Sequence, residues 1–275
     1  MNRRAFFGAL AAVACGSNSR VSPFVRSVLA VARNAGQLLP TDERFCLGEL
    51  ERVRELAERE LSRSSPLAVG PVLSRLIFDH LGFAREVDDP SLDFVLLPSV
   101  LRKRRGSCVG LGVLFLALTE ALQKRASGVL MPGHFFVRVE QADGPHNVEL
   151  LRRGEQMPDA WYRERFPIPS SETLEYARPL TAEETLGVIE YDVGSQRRRQ
   201  QRLLEARSAY QRAVRSFPGF AEAHASLGAT QQLLGQLDDA EGSYLRARAI
   251  NPDLAGVAWN RALLERERAS KSKSR

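Results

Sequence analysis

The sequence predicts an α+β fold, with helices packed on a small antiparallel sheet and an α-helical repeat segment after it. Three observations carry this. From Val109 to Leu122 the apolar residues go nearly all round a helical wheel, the pattern of a buried helix. From Val129 to Leu151, runs rich in β-branched and aromatic residues are broken by Pro132-Gly133 and Asp143-Gly144-Pro145, the pattern of a strand-turn-strand unit. Beyond Gly187, a shift of 34 residues superimposes Gly194 on Gly228, Ala206 on Ala240, Tyr210 on Tyr244, Ala213 on Ala247 and Pro218 on Pro252.

The N-terminus reads as an export segment. Arg3 and Arg4 precede an apolar run from Ala5 to Ala14 that is too short to span a bilayer, so residues 1–14 are expected to be a signal peptide. NRRAFF resembles the twin-arginine export motif, which implies translocation after folding. Ala12-Val13-Ala14-Cys15 admits two cuts at one bond: a signal-peptidase site, or a lipoprotein site in which Cys15 takes the lipid and tethers the chain to a membrane. The expected location is therefore the periplasm or cell envelope, or the cytoplasm if this segment is no signal.

Residues 15–40 read as a linker or loosely packed helix. Thr41 can cap a helix through Glu49, Val53, Leu56 and Leu61, which Ser64-Ser65-Pro66 breaks. A second helix starts near Pro71, turns Val72, Leu76, Ile77 and Leu81 inward, and stops at Gly82. A short helix is expected within Leu92 to Arg102, around Pro98.

The chain of 275 residues, 44% hydrophobic and 26% charged, is long enough for two domains with a real core. Its net charge of +6 permits an anionic partner. The basic runs Arg102 to Arg105 and Arg197 to Arg199 lack interleaved aromatics on which bases could stack, which argues against nucleic acid. No cysteines or histidines have metal-ligand spacing, so neither metal nor cofactor is expected.

Ser107 is a candidate N-cap for the buried helix, which puts Cys108 in its first turn. Unpaired N–H groups and partial positive charge there favour a thiolate and supply donors for an oxyanion. Cys46, on an amphipathic helix, is expected to be a packing residue. With a hairpin loop centred near Ala142 and Asp143, the strand period of two puts His134, Phe136 and Arg138 on the face shared by Asn147, Glu149 and Leu151. If Phe136 stands opposite Glu149, His134 lies one diagonal step from that carboxylate. Thiol, imidazole and carboxylate are the parts of a nucleophile, a base and an orienter.

Residues 78 to 166 resemble the transglutaminase-like core, a papain-like cysteine fold, in the bacterial branch where that core precedes tetratricopeptide repeats. The likeness is carried by Leu81-Gly82-Phe83, by VLRKRRGSCVGL from Val100, by GVLMPGHFFVR from Gly128, and by VELLRRG from Val148. It implies a triad of Cys108, His134 and Glu149, with Asn147 the alternative orienter. Glu149 stands where the family usually has Asp followed by Pro-Phe, so its carboxylate reaches one methylene further. Neither Gln nor Asn occurs between Arg85 and Ser107 to serve as an oxyanion donor, which leaves the Cys108 backbone N–H.

The resemblance places a transglutaminase-like domain at 41–182, two repeats with a capping helix at 187–269, and a basic tail at 270–275. In the first repeat Glu190 and Arg197 occupy usually aromatic positions, so its leading helix is expected to fit poorly. Such repeats present a groove to a partner protein. Two readings follow. One is a cell-envelope cysteine hydrolase or acyltransferase acting on peptide or side-chain amides; the other is an inactive scaffold whose repeats bind a protein.

Overall fold

A computed structural model describes residues 21–64, 69–169 and 175–273. The expected signal peptide, the Cys15 lipidation site and the end of the basic tail lie outside them. Helix α1 (Pro23–Asn34) opens the described chain, capped by Ser22 Oγ, which accepts from the Val25 N–H at 3.1 Å. It buries Phe24, Val25, Val28, Leu29, Val31 and Ala32 in the main core, so the segment expected as a linker or loose helix carries a packed element. The apolar i, i+3, i+4 spacing within PFVRSVLAVA is the reason.

Helix α2 (Pro40–Ser62) starts one residue before the expected cap. Pro40 occupies the first turn, where its fixed φ suits a helix, and Asp42 accepts from the Leu39 N–H at 2.9 Å. Helix α3 (Val69–Ser74) runs on as one π-helical stretch, Arg75–His80, and ends before Gly82, whose φ of +70° belongs to a left-handed cap. Strand β1 (Ala84–Arg85) pairs in parallel with β2 (Arg105–Gly106); between them lie a 3₁₀ turn at Leu92–Phe94 and helix α4 (Leu97–Lys103).

Helix α5 (Cys108–Ala121) is apolar all round and almost wholly buried. It lies against a four-stranded antiparallel sheet in the order β3 (Ala126–Met131), β4 (His134–Gln141), β5 (Gly144–Glu149), β6 (Glu155–Gln156). The Phe135 ring fills the gap between them. A Cβ on Gly112 of α5 would stand 2.5 Å from that ring and one on Gly128 of β3 would stand 2.3 Å from it, so both positions must be glycine for helix and sheet to close on it. The β4–β5 register pairs Val137 with Val148 and Arg138 with Asn147 around a turn at Ala142 and Asp143, as the strand period requires.

After helix α6 (Asp159–Arg165) the chain is helical: α7 (Ala182–Arg199), α8 (Leu203–Ser216), α9 (Ala221–Leu233), α10 (Leu237–Ile250) and α11 (Val257–Lys273). Gly194 faces the Tyr210 ring and Gly228 the Tyr244 ring in equivalent positions, 34 residues apart. The Glu190 and Arg197 side chains do not spoil α7. Glu190 accepts from two Arg212 nitrogens at 2.7 and 2.9 Å, and Arg197 donates to the Ala35 carbonyl, so two buried charges are satisfied where apolar rings were expected. Helix α11 runs past the expected end of the capping helix, into the segment expected as a tail.

Candidate active site

The start of α5 is held from three sides. Ser107 Oγ accepts from the Gly110 N–H at 3.2 Å, and the Ser107 N–H donates to the Phe94 carbonyl at 2.7 Å. Just before it, the parallel β1–β2 bridge fixes Arg105 and Gly106. A Cβ on Gly110 would stand 2.1 Å from that same Phe94 oxygen. The backbone around Cys108 therefore has one place to be.

His134 is the first residue of β4, directly after the Pro132-Gly133 turn, in which Gly133 takes a φ of +70°. Its Nε2 lies 2.7 Å from Glu149 Oε2. Glu149 Oε1 accepts from the Leu151 N–H at 2.9 Å, so both carboxylate oxygens are occupied. The pair is deeply buried, at 5% and 1% exposure, and Phe166 stacks on the imidazole at 4.3 Å between centroids. Since the carboxylate can only accept, Nε2 carries a hydrogen and Nδ1 is the nitrogen left to exchange a proton. Tyr162 also borders Glu149; burial first, and then that carboxylate's charge, push its phenol well above the usual range.

Asn147 does not take the orienting place. Its Oδ1 accepts from Arg138 Nε at 2.8 Å, and its Nδ2 donates to the Met157 carbonyl and to Asp159 Oδ1. Cross-strand pairing with Arg138 claims it, away from the imidazole.

Cys108 and His134 line one cavity of about 360 Å³. The N–H groups of Phe135, the residue next to His134, and of Val109 point at the Cys108 sulfur. Cys108 is half-buried and Cys46 fully buried, both as free thiols. The helix-terminus argument predicts a thiolate, yet the Cys108 thiol is pushed up to about 12. Loss of solvent is the main cause and the charge of Asp192 the next, and together they outweigh the two N–H groups.

Asp192 is the residue that sequence reasoning missed. It lies mid-way along α7, and nothing in the local pattern marks a helical aspartate as facing a cavity formed by residues far upstream. Burial lifts its carboxyl from an ordinary 3.8 to about 7, against the opposing pull of Arg199. Between those values the folded protein holds a proton that the unfolded chain has released. This group's contribution to stability therefore falls as pH rises through that interval and stays low above about 7. Asp192→Asn is expected to raise unfolding free energy by about 1–3 kcal/mol at pH 8 and to leave it nearly unchanged at pH 4, as measured by urea denaturation. Equal effects at both pH values would refute this.

A helix-borne cysteine and a histidine paired with a buried carboxylate on a small sheet line one cavity, in a mixed helix-and-sheet core. The sequence model of the transglutaminase-like superfamily matches residues 45–184, just over half of the chain, and the protein belongs to that superfamily. It is similar to the UPF0162 protein YchA of Escherichia coli strain K12, and equally to that of E. coli O157:H7, at 35% identity over 124 residues, covering 42% of this chain and 45% of each relative. The match thus spans less than half the length of these curated relatives. A crystal structure of menin, described as revealing that protein's binding site for the Mixed Lineage Leukemia protein, aligns with 82% of this chain and 65% of its own at 11% identity, with a TM-score of 0.44.

Proposed function

We propose that the protein is a cysteine-dependent hydrolase or acyltransferase acting on peptide or side-chain amides. The observation that carries this is the buried 2.7 Å His134–Glu149 contact in the wall of the cavity that Cys108 also lines. The Cys108 sulfur attacks the amide carbon while its proton passes to His134 Nδ1. The tetrahedral adduct collapses with cleavage of the C–N bond, and His134 returns that proton to the leaving amine. Water or a second amine then attacks the thioester, again losing a proton to His134, and the thiol is restored. Because the resting thiol sits near 12, proton transfer accompanies attack rather than preceding it. Glu149 holds the imidazole in the required tautomer.

On this reading the α7–α11 segment is a pair of tetratricopeptide repeats with a capping helix, and the N-terminal residues direct the chain to the cell envelope, with Cys15 as a lipid anchor or a cleavage site. Envelope peptides are then the substrate class, and the repeats a seat for a partner protein. One observation favours the second reading, an inactive scaffold: a thiol this hard to ionise is a poor nucleophile unless a base assists it.

Acylation separates the two. Incubated with p-nitrophenyl acetate, the intact protein is expected to carry an acetyl thioester on Cys108, found by peptide mass mapping, well before a free cysteine peptide is acetylated to the same extent. Cys108→Ala should carry none there. Acetylation no faster than that of the free peptide would support the scaffold.

A further inference from the structure

Much of the wall facing Cys108 comes from the helical segment: Val188, Tyr191 and Asp192 of α7, and Phe220 and Glu222 at the start of α9. The apolar members could line any buried cleft; the two carboxylates are unusual. The half-buried Asp192 carboxylate has no hydrogen-bond partner among the described residues, and its charge is felt at the Cys108 sulfur. Glu222 accepts the Tyr176 hydroxyl through Oε1, while its Oε2 is buried with no partner among the described residues. Arg199 lines the same cavity with its hydrogen bonds directed at neutral acceptors, Nη2 donating to the Pro90 carbonyl at 2.9 Å and to Gln196 Oε1 at 3.0 Å, so it meets Asp192 through its charge and not through a hydrogen bond. Among the described residues no three His, Cys, Asp or Glu side chains converge as a metal site. The cavity thus sets two carboxylates with open acceptor positions beside a thiol, among apolar side chains.

We propose that Asp192 and Glu222 form a recognition site for a protonated amine on the substrate, held beside Cys108 by α7 and α9. A buried acceptor without a donor, as Glu222 Oε2 is, is costly, and an ammonium supplies donors and countercharge to both carboxylates together. An alkyl stem bearing that amine suits the Val188, Tyr191 and Phe220 surfaces around it. A carboxylate or phosphate on the substrate would meet like charge at the same place. The substrate is then an amino-bearing peptide, or an acyl acceptor of the lysine type, and not an acidic one. Burial lifts Asp192 and Glu222 alike, as expected of carboxylates that await a partner.

This inference deepens the proposed enzymatic reading, and its test does not depend on turnover. Three methanethiosulfonate reagents of similar size, bearing a 2-aminoethyl, a 2-sulfonatoethyl or an ethyl group, each react with the Cys108 thiolate to form a mixed disulfide and release methanesulfinate. Rates at Cys108 in the full chain are read by peptide mass mapping and divided by each reagent's rate with free cysteine. The cation is expected to lead the anion by about 10-fold or more. In Asp192→Asn/Glu222→Gln the ratio should fall toward one. n-Butylammonium, but not n-butanol, should slow the ethyl reagent in the parent protein and not in the double variant. A ratio near one in the parent protein, or no protection by the ammonium, overturns the amine site. Acylation no faster than that of the free peptide, with these ratios intact, overturns only the catalytic reading.

Discussion

His134→Ala is expected to slow acetylation of Cys108 by about 10²–10⁴-fold, the span that a positioned general base contributes. The thiol gives the reason for so large an effect. At a pKa near 12 almost none of it is ionised at neutral pH, so attack depends on a base that removes the proton during the step. Glu149 variants should separate positioning from packing. Glu149→Gln keeps an acceptor for Nε2–H and is expected to lose less rate than Glu149→Ala. The alanine variant also leaves the buried imidazole without its partner and removes the acceptor of the half-buried Leu151 N–H, at a cost of about 1–3 kcal/mol. Acetylation rates with unfolding curves check this; a His134→Ala rate within about threefold of the parent protein would remove the base from the mechanism.

Gly110→Ala is expected to be the most damaging small substitution near the site. Its Cβ would stand 2.1 Å from the Phe94 carbonyl oxygen and 2.9 Å from Val100 Cγ2, and the first of these is backbone that cannot rotate away. The start of α5 must move, taking with it the Ser107 N–H bond to that same oxygen and the Cys108 sulfur. A loss of about 1–3 kcal/mol or more is expected in urea denaturation, with slower acetylation in the molecules that remain folded. Gly48→Ala is the contrast. That glycine lies within α2, and a Cβ there would have no neighbouring atom within 4 Å, so the substitution should stabilise by about 0.5–1 kcal/mol. Similar losses at both positions would show that close approach is not what Gly110 provides.

The central helix and the hairpin are legible in the sequence because each depends on local periodicity. An all-round apolar run has only the interior to go to, and the Ala142–Asp143 turn sets every cross-strand pair from Arg138–Asn147 onward. That register is what brings His134 to Glu149. What escapes is long-range. The burial that opposes a Cys108 thiolate, the stacking of Phe166 on His134, and the approach of Asp192 and Glu222 arise where segments distant in sequence meet, and no spacing records them. The close packing of helix α1 escapes for another reason: its apolar stripe follows closely on the export-like segment and reads as a linker or loosely packed helix.

The wall that α7 and α9 raise over Cys108 lies beyond residue 184, where the match to the superfamily ends. On the proposed mechanism an acyl group resting on that sulfur would face Val188, Tyr191 and Phe220, and these rings and branches would govern whether bulk water or an incoming amine arrives first. Two proteins with the same core and different tails would then divide between cleavage and transfer in different proportions, with no change to the triad.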